Sequence, residues 1–321
     1  MKTGCRFGTH RVIEPADTLP QPAYKLDNTM EIYNNEMLID VLTLNIDSAS
    51  YTQIKEVCED NEEKMREMIL SIVQERGKMQ NPVTGSGGML IGIVKEIGID
   101  FPNPTGVKPG DKIATLVSLS LTPLKINKIN KLTADSDQVD VEAQAVLFAS
   151  GIFAKLPNDM PEKLALAALD VAGAPAQVDR LVKEGDTVCI LGGGGKSGIL
   201  CCYQAMKNVG PFGKVIVVEY STENAQRISD MKLAHHVIVA DATKVMDVYK
   251  KVTDITTERG CDVTINNVNV PNTEMTSILI TKGQGSIYFF SMATGFTKVA
   301  LGAEGVGKDL NLIVGNGYTK G

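Results

Sequence analysis

Residues 187–219 set a buried apolar run, four consecutive glycines, an apolar helical stretch and a second apolar run in direct succession. Val188, Ile190 and Leu191 lead into the glycines, and Val215–Val218 closes on Glu219. That order predicts a parallel strand–helix–strand unit, because parallel strands need a crossover connection. The glycines carry the spacing Gly193-x-Gly195-x-x-Gly198. In such a loop the first glycine permits a tight turn, the second lets backbone approach a pyrophosphate, and the third packs helix on strand. The helix N-terminus then offers free N–H groups and a positive dipole end to phosphate oxygens. Glu219, about 20 residues on, is placed to accept hydrogen bonds from an adenosine ribose. The sequence therefore predicts a nucleotide site using Gly193, Gly194, Gly195, Lys196, Ser197, Gly198, Glu219 and Tyr220. The plainer reading is a glycine-rich turn serving only helix–strand packing.

The chain has 321 residues, suited to two domains rather than one core. Its formal net charge of −6 argues against a nucleic-acid partner held by phosphate contacts. The start, MKTGCRFGTHRVIEP, lacks the apolar core of a signal peptide, and no apolar run reaches membrane-spanning length. The six cysteines follow no disulfide or metal spacing, and Cys189, Cys201 and Cys202 sit in apolar segments where a reduced thiol is an ordinary small residue. A reducing cytoplasm is the expected compartment.

Before residue 150 the signals are strand-like and rich in turns. Met37–Leu44, Met89–Ile97 and Lys112–Val117 read as strands, the last preceded by the turn Val107–Asp111. Gln53–Arg76 carries apolar residues at helical spacing and reads as one long helix, with Glu59–Glu63 a solvated charged face. From about residue 158 helices alternate with strands: Glu223–Leu233 and Lys244–Arg259 as helices, His236–Ala240, Cys261–Asn266 and Ser286–Met292 as strands, and Asp309–Val314 as a final strand. That alternation predicts an α/β fold with a doubly wound parallel sheet at 158–321, after a β-rich domain at 1–157. Ligands bind such sheets at the strand ends, which adds Asp241, Asn266 and Ser291 to the cofactor candidates.

Several segments resemble the medium-chain dehydrogenase/reductase superfamily. Gly92–Gly98 resembles its GxVxxVG strand, Lys155-Leu156-Pro157 its domain junction, and Lys183–Val188 the approach to its Rossmann unit. The resemblance implies a GroES-like catalytic domain, a Rossmann domain, and hydride transfer to or from a nicotinamide in the cleft between them. The departures narrow the choice. Where zinc members carry a cysteine, this chain reads Asn45–Ser50, and where they carry Gly-His-Glu it reads Gly87-Gly88-Met89. Glycine and methionine do not supply the nitrogen, sulfur or oxygen ligands of catalytic zinc, so no metal is expected. The inserted helix and the run Arg76–Leu90, with the Leu191–Gly198 loop, resemble the L-erythro-3,5-diaminohexanoate dehydrogenase family of lysine fermentation. That resemblance implies oxidative deamination of the diamino acid to 5-amino-3-oxohexanoate and ammonia, with NAD or NADP as acceptor. Superfamily members return to the first domain after the last Rossmann strand. This chain stops at Thr319-Lys320-Gly321, so the resemblance also implies a natural sequence extending further.

Amine oxidation needs a base to take an ammonium proton and a group to activate water for imine hydrolysis. Asp47 falls where zinc members place their first metal ligand, and is the leading base candidate; the alternative is a turn or capping aspartate. Asp170, in an apolar helical segment that lines the cleft in the superfamily, must be paired or used. Glu142 is a further base candidate, and Ser48, Tyr51 and Ser86 are candidates for holding substrate. Arg6, Arg11 and Arg180 are available for the substrate carboxylate. Glu219 favours NAD, since a carboxylate repels a 2′-phosphate. His235 and His236 read as structural, having no third ligand near in sequence. Two other functions fit the glycine loop: a zinc-independent NADPH quinone or enone reductase, and a non-catalytic nucleotide-binding redox sensor. The superfamily resemblance implies a homodimer paired through the edge of the Rossmann sheet.

Overall fold

The computed structural model describes residues 2–133, 136–157, 159–291 and 293–315. The chain divides into two compact units, Met1–Glu162 and Lys163–Gly321.

The first unit begins with a short hairpin, β1 (Val12–Glu14) and β2 (Lys25–Leu26). It continues with β3 (Glu36–Asn45), helices α1 (Ser48–Val57) and α2 (Glu62–Arg76), and strands β4 (Met89–Ile97), β5 (Lys112–Thr115), β6 (Leu124–Thr133), β7 (Gln138–Phe148) and β8 (Phe153–Lys155). Strands β3 to β8 form one antiparallel sheet in the order β6-β7-β3-β4-β5-β8. Met37, Ile39 and Val41 alternate inward from β3 as a two-residue period requires, and meet Met65, Ile69, Ile72 and Val73 of α2 in one apolar core. The helix expected over Gln53–Arg76 is two helices. Glu59 and Asp60 take positive φ (54° and 59°) between them, and Asn61 accepts from the Lys64 N–H at 3.1 Å to start α2. The Glu59–Glu63 run is therefore a break and a helix start, with Glu62 and Glu63 favourably placed at the positive end of α2.

The second unit contains α3 (Glu162–Leu169), α4 (Gly173–Leu181), β9 (Thr187–Leu191), α5 (Lys196–Asn208), β10 (Lys214–Glu219), α6 (Thr222–Asp230), β11 (His236–Val239), α7 (Val245–Thr256), β12 (Cys261–Asn266), α8 (Glu274–Ile280), β13 (Thr281–Phe289), α9 (Phe296–Gly305) and β14 (Asn311–Val314). Its six strands are all parallel, in the order β11-β10-β9-β12-β13-β14. That is the doubly wound Rossmann order, with the reversal of winding between β9 and β12. Val188, Ile190, Val215 and Val217 face α4 and α5, whereas Cys189, Leu191, Ile216 and Val218 face α7. Both faces of the sheet are covered, which accounts for the unbroken apolar runs. Strand β13 starts at Thr281, earlier than expected, and Met292 lies outside the described residues, as do 316–321.

Candidate functional site

The reversal between β9 and β12 opens a cavity of about 560 Å³ at the carboxyl ends of the strands. Its wall is built from the glycine loop, the ends of β10 and β11, and the segment Asn267–Val270 after β12. The tight turn falls on Gly192, whose φ of +76° is the left-handed conformation that glycine adopts freely. This corrects the expectation that Gly193 makes the turn. A Cβ on Gly193 would meet Val217 Cγ1 at 2.4 Å, so Gly193 is required for packing on β10. Gly198 serves close packing: its Cβ would lie 2.2 Å from the Gly192 carbonyl oxygen. A Cβ on Gly195 would meet nothing within 4 Å, and Gly195 both caps α5 and lines the cavity. The loop thus leaves open space where a phosphate would meet the free N–H groups of α5.

Glu219 is 8% exposed and holds the loop from the side. One carboxylate oxygen accepts the Gly194 N–H at 2.7 Å and the other the Ser221 N–H at 3.0 Å. Arg227 donates to the Gly194 carbonyl at 2.7 Å, so that glycine is fixed on both its polar groups. Glu219 lines the cavity, and each of its oxygens can accept a further hydrogen bond. Tyr220 is exposed at the cavity rim. Asp241 also lines it, accepting from the Thr243 N–H (2.9 Å) and hydroxyl (2.7 Å). These groups fit an adenine dinucleotide: free helix N–H groups for pyrophosphate, a carboxylate for ribose hydroxyls, and apolar walls for a base.

In the first unit, the segments around Asp47 and Gly88 meet. Gly88, with φ of +104°, lies so close to the 45–47 backbone that a Cβ would be 2.0 Å from the Asn45 carbonyl oxygen. Asp47 caps α1, its Oδ1 accepting the Ser50 N–H at 3.1 Å. Its other oxygen, Oδ2, is buried without a hydrogen-bond partner. The Ser50 hydroxyl is enclosed and lies 2.6 Å from the Thr84 hydroxyl and 2.9 Å from that of Ser86, and those two are 3.0 Å apart. Buried Asn81 ties this loop to α1, donating to Gln53 Oε1 at 2.7 Å and accepting the Val83 N–H at 2.8 Å. Asp47, Ser50, Thr84 and Ser86 therefore form one polar cluster. Thr84 and Asn81 were not singled out from the sequence, although both lie in the Arg76–Leu90 run. Among the described residues, no group of three His, Cys, Asp or Glu side chains could hold a metal ion.

Other expected residues stand elsewhere. Tyr51 is 2% exposed in the apolar core, where burial raises its phenol pKa, so it is a packing residue. Glu142 is exposed in mid-β7 opposite Lys128. It lies four residues beyond Gln138, the partner of Asn45, which puts it roughly 13 Å along the strand from the Asp47 end. Ser48 opens α1. Asp170 is 41% exposed and pairs with Lys196 at 3.0 Å, tying the segment after α3 to the start of α5. Asn266 is fully enclosed: it donates to Thr273 (2.9 Å) and Ser277 (3.0 Å) and accepts the Val268 N–H (3.1 Å), so it shapes the cavity wall without lining it. Ser291 accepts the Ala293 N–H at 3.1 Å in the loop after β13, and Ser197 lies in the first turn of α5. Arg11 is unavailable to a substrate, being buried in a two-point ion pair with Glu36. His235 accepts the Val215 N–H at 2.9 Å, a structural role. No helix among the described residues is long and apolar enough to cross a membrane.

The profile of the L-erythro-3,5-diaminohexanoate dehydrogenase N-terminal domain matches residues 10–157. A protein of Fusobacterium nucleatum called L-erythro-3,5-diaminohexanoate dehydrogenase is 62% identical over 99% of this chain and 92% of its own length. One of the same name from Acetoanaerobium sticklandii is 57% identical over 99% of this chain and 92% of its own. Among solved structures, a mycobacterial quinone oxidoreductase shares the fold with a TM-score of 0.56 at 16% identity, over 92% of this chain and 78% of that one. With its GroES-like sheet, its Rossmann unit and this identity along nearly its whole length, the chain belongs to the L-erythro-3,5-diaminohexanoate dehydrogenase family.

Proposed function

We propose that the chain oxidatively deaminates L-erythro-3,5-diaminohexanoate to 5-amino-3-oxohexanoate and ammonia, using NAD. The observation that carries this reading is 62% identity over 99% of the chain to a protein of that name. A bound nicotinamide supplies the two-electron acceptor, taking a hydride from the amine-bearing carbon. The balance is one substrate ammonium group, one oxidised dinucleotide and one water giving ketone, ammonium, reduced dinucleotide and a proton. An ammonium carbon cannot release hydride, so a base must first free the nitrogen lone pair. Asp47 suits the role of that base, since Oδ1 is held by the Ser50 N–H and Oδ2 has no protein partner. A buried carboxylate oxygen without a donor is costly, and a substrate ammonium would supply the missing bonds. The same oxygen, once protonated, would give its proton to the departing nitrogen after water has added to the imine carbon and lost a proton to solvent. Ser86, with Ser50 and Thr84, keeps the loop beside Asp47 in place.

In the second unit the helix α5 N–H groups would hold the pyrophosphate, with Gly195 leaving the approach clear. Glu219 supports NAD over NADP, because a 2′-phosphate would stand beside a nearly buried carboxylate. A homodimer through the open edge of β14 belongs to this reading, as does a reducing cytoplasm, which suits six free thiols. The test is turnover: reduced dinucleotide and ammonia formed in equal amounts from the diamino acid support the proposal. Oxidation of NADPH by quinones or enones, with the diamine inert, would replace it.

A further inference from the structure

The dinucleotide cavity changes character along its length. Gly192 and Gly195 stand at the end of β9, Glu219 at the end of β10, and Ala240–Thr243 just beyond β11. These three strands are successive neighbours, and neighbouring strands lie about 4.8 Å apart. The stations are therefore spaced as the phosphate, ribose and base of one nucleotide whose pyrophosphate rests on α5. At the base station Ala240 and Ala242 offer apolar surface, and Val268 and Val270 face the same space from the other wall. Such walls hold a flat aromatic body without choosing among bases.

Asp241 is the charged group at that station. Both bonds from Thr243 fall on Oδ1, at 2.9 and 2.7 Å, so Oδ2 has no hydrogen-bond partner among the described residues. The Thr243 hydroxyl and N–H also hold the carboxyl below the usual aspartate range, so it is ionised and can only accept. An acceptor at that point favours a purine edge bearing an N–H donor and opposes one bearing a carbonyl.

We propose that Asp241 reads the exocyclic 6-amino group of the adenine through Oδ2, and so selects adenine dinucleotides over their 6-oxopurine counterparts. This rests on the dinucleotide reading of the cavity and adds the group that chooses the base. The experiment is calorimetric titration of the full chain with NAD and with nicotinamide hypoxanthine dinucleotide, repeated on Asp241→Asn and Asp241→Ala. The wild type should bind the hypoxanthine form roughly 10- to 100-fold more weakly, the worth of one hydrogen bond to a charged group. In Asp241→Asn the amide oxygen can keep the Thr243 bonds while Nδ2 donates to a carbonyl, so the ratio should fall toward one or invert. In Asp241→Ala it should fall toward one. Equal wild-type affinities for the two dinucleotides overturn the base-reading role and leave the nucleotide site standing. A wild-type ratio that persists in both variants also overturns it. Binding of neither dinucleotide overturns the nucleotide site itself. Should both variants fail to fold, Asp241→Ser serves instead: its ratio should fall toward one, and a ratio that stays at the wild-type value overturns the role.

Discussion

Gly195 and Gly198 carry the same methyl substitution to opposite effects, and the pair tests the cofactor loop closely. Gly195 has φ of −77° and ψ of 174°, a conformation alanine adopts without strain, and its Cβ would touch nothing within 4 Å. Losing glycine at a helix cap costs about 1 kcal/mol at most, and a stiffer unfolded chain offsets about 0.4–1 kcal/mol of that. Gly195→Ala should therefore leave Tm within about 2 °C of wild type. Its methyl would project into the space where backbone must approach the pyrophosphate. Losing one charge-assisted hydrogen bond there, about 1.5–3 kcal/mol, raises Kd for NAD roughly 10- to 100-fold. Gly198→Ala meets backbone instead: the Gly192 oxygen at 2.2 Å and the Gly193 carbonyl carbon at 2.6 Å. Helix and loop must part by roughly 1 Å to restore van der Waals distance, and overpacking of that kind costs about 1–3 kcal/mol. For a unit of this size that lowers Tm by roughly 2–12 °C. Thermal denaturation and calorimetric titration on the two variants give the answer. A Gly195→Ala protein that loses stability yet binds NAD like wild type would refute the loop geometry.

Asp47→Asn keeps the helix cap, since asparagine caps as well as aspartate. It should lose roughly 100-fold or more in kcat with Tm and NAD affinity unchanged; full turnover would reduce Asp47 to a cap. Burial pushes the Glu36 carboxyl up, but hydrogen bonds from His10 and Arg11 outweigh it and hold the pKa at about 2, against an ordinary 4.5. Its folded-state pKa is depressed, so its contribution of about 3 kcal/mol is complete above 4.5 and lost as pH falls toward 2. Denaturant titrations should show that acid loss in wild type and a shallower one in Glu36→Gln, and parallel curves would contradict it. Lys78 is fully enclosed, donating to the Pro20 and Gln21 carbonyls at 2.7 and 3.0 Å. Burial brings its pKa down to about 8 from 10.5. Below 8 both folded and unfolded states carry the charge, so stability should rise by about 3 kcal/mol between pH 8 and 10.5, and Lys78→Met should abolish the rise. A wild type no more stable at pH 10 than at pH 8, relative to Lys78→Met, would contradict this.

The parallel sheet was legible because both its faces are covered: the cores of β9 and β10, Val188–Leu191 and Val215–Val218, are short unbroken apolar runs between glycines and helices. Strand β6 was missed for the opposite reason, whereas β7 was missed although Val139, Val141, Ala143 and Ala145 alternate with polar residues. The register of β6 on β7 slips between Ile126 and Lys128 and again between Ile129 and Lys131. Each irregularity shifts the apolar side by one residue, so Leu124, Ile126, Ile129 and Leu132 never show a sustained two-residue period. The α1–α2 break was hidden because Glu59 and Asp60 are equally at home on a solvated helix and in a left-handed turn; only their φ values decide. At the site, the glycine-loop spacing found Glu219 and the strand-end rule found Asp241, yet that rule also chose Asn266, whose side chain turns inward to Thr273 and Ser277. Position along a strand tells where a side chain starts and not which way a loop turns it. Asp47 came from the resemblance alone, and its cap bond and partnerless oxygen came from the structure.

Turnover is the most direct measurement: purified protein is given L-erythro-3,5-diaminohexanoate with NAD or NADP, and reduced nicotinamide and free ammonia are followed together. Equal amounts of both products are expected, with a clear preference for NAD and rates unchanged by a strong chelator. A diamine that yields neither product with either dinucleotide, from protein shown to bind NAD, would contradict the proposed activity.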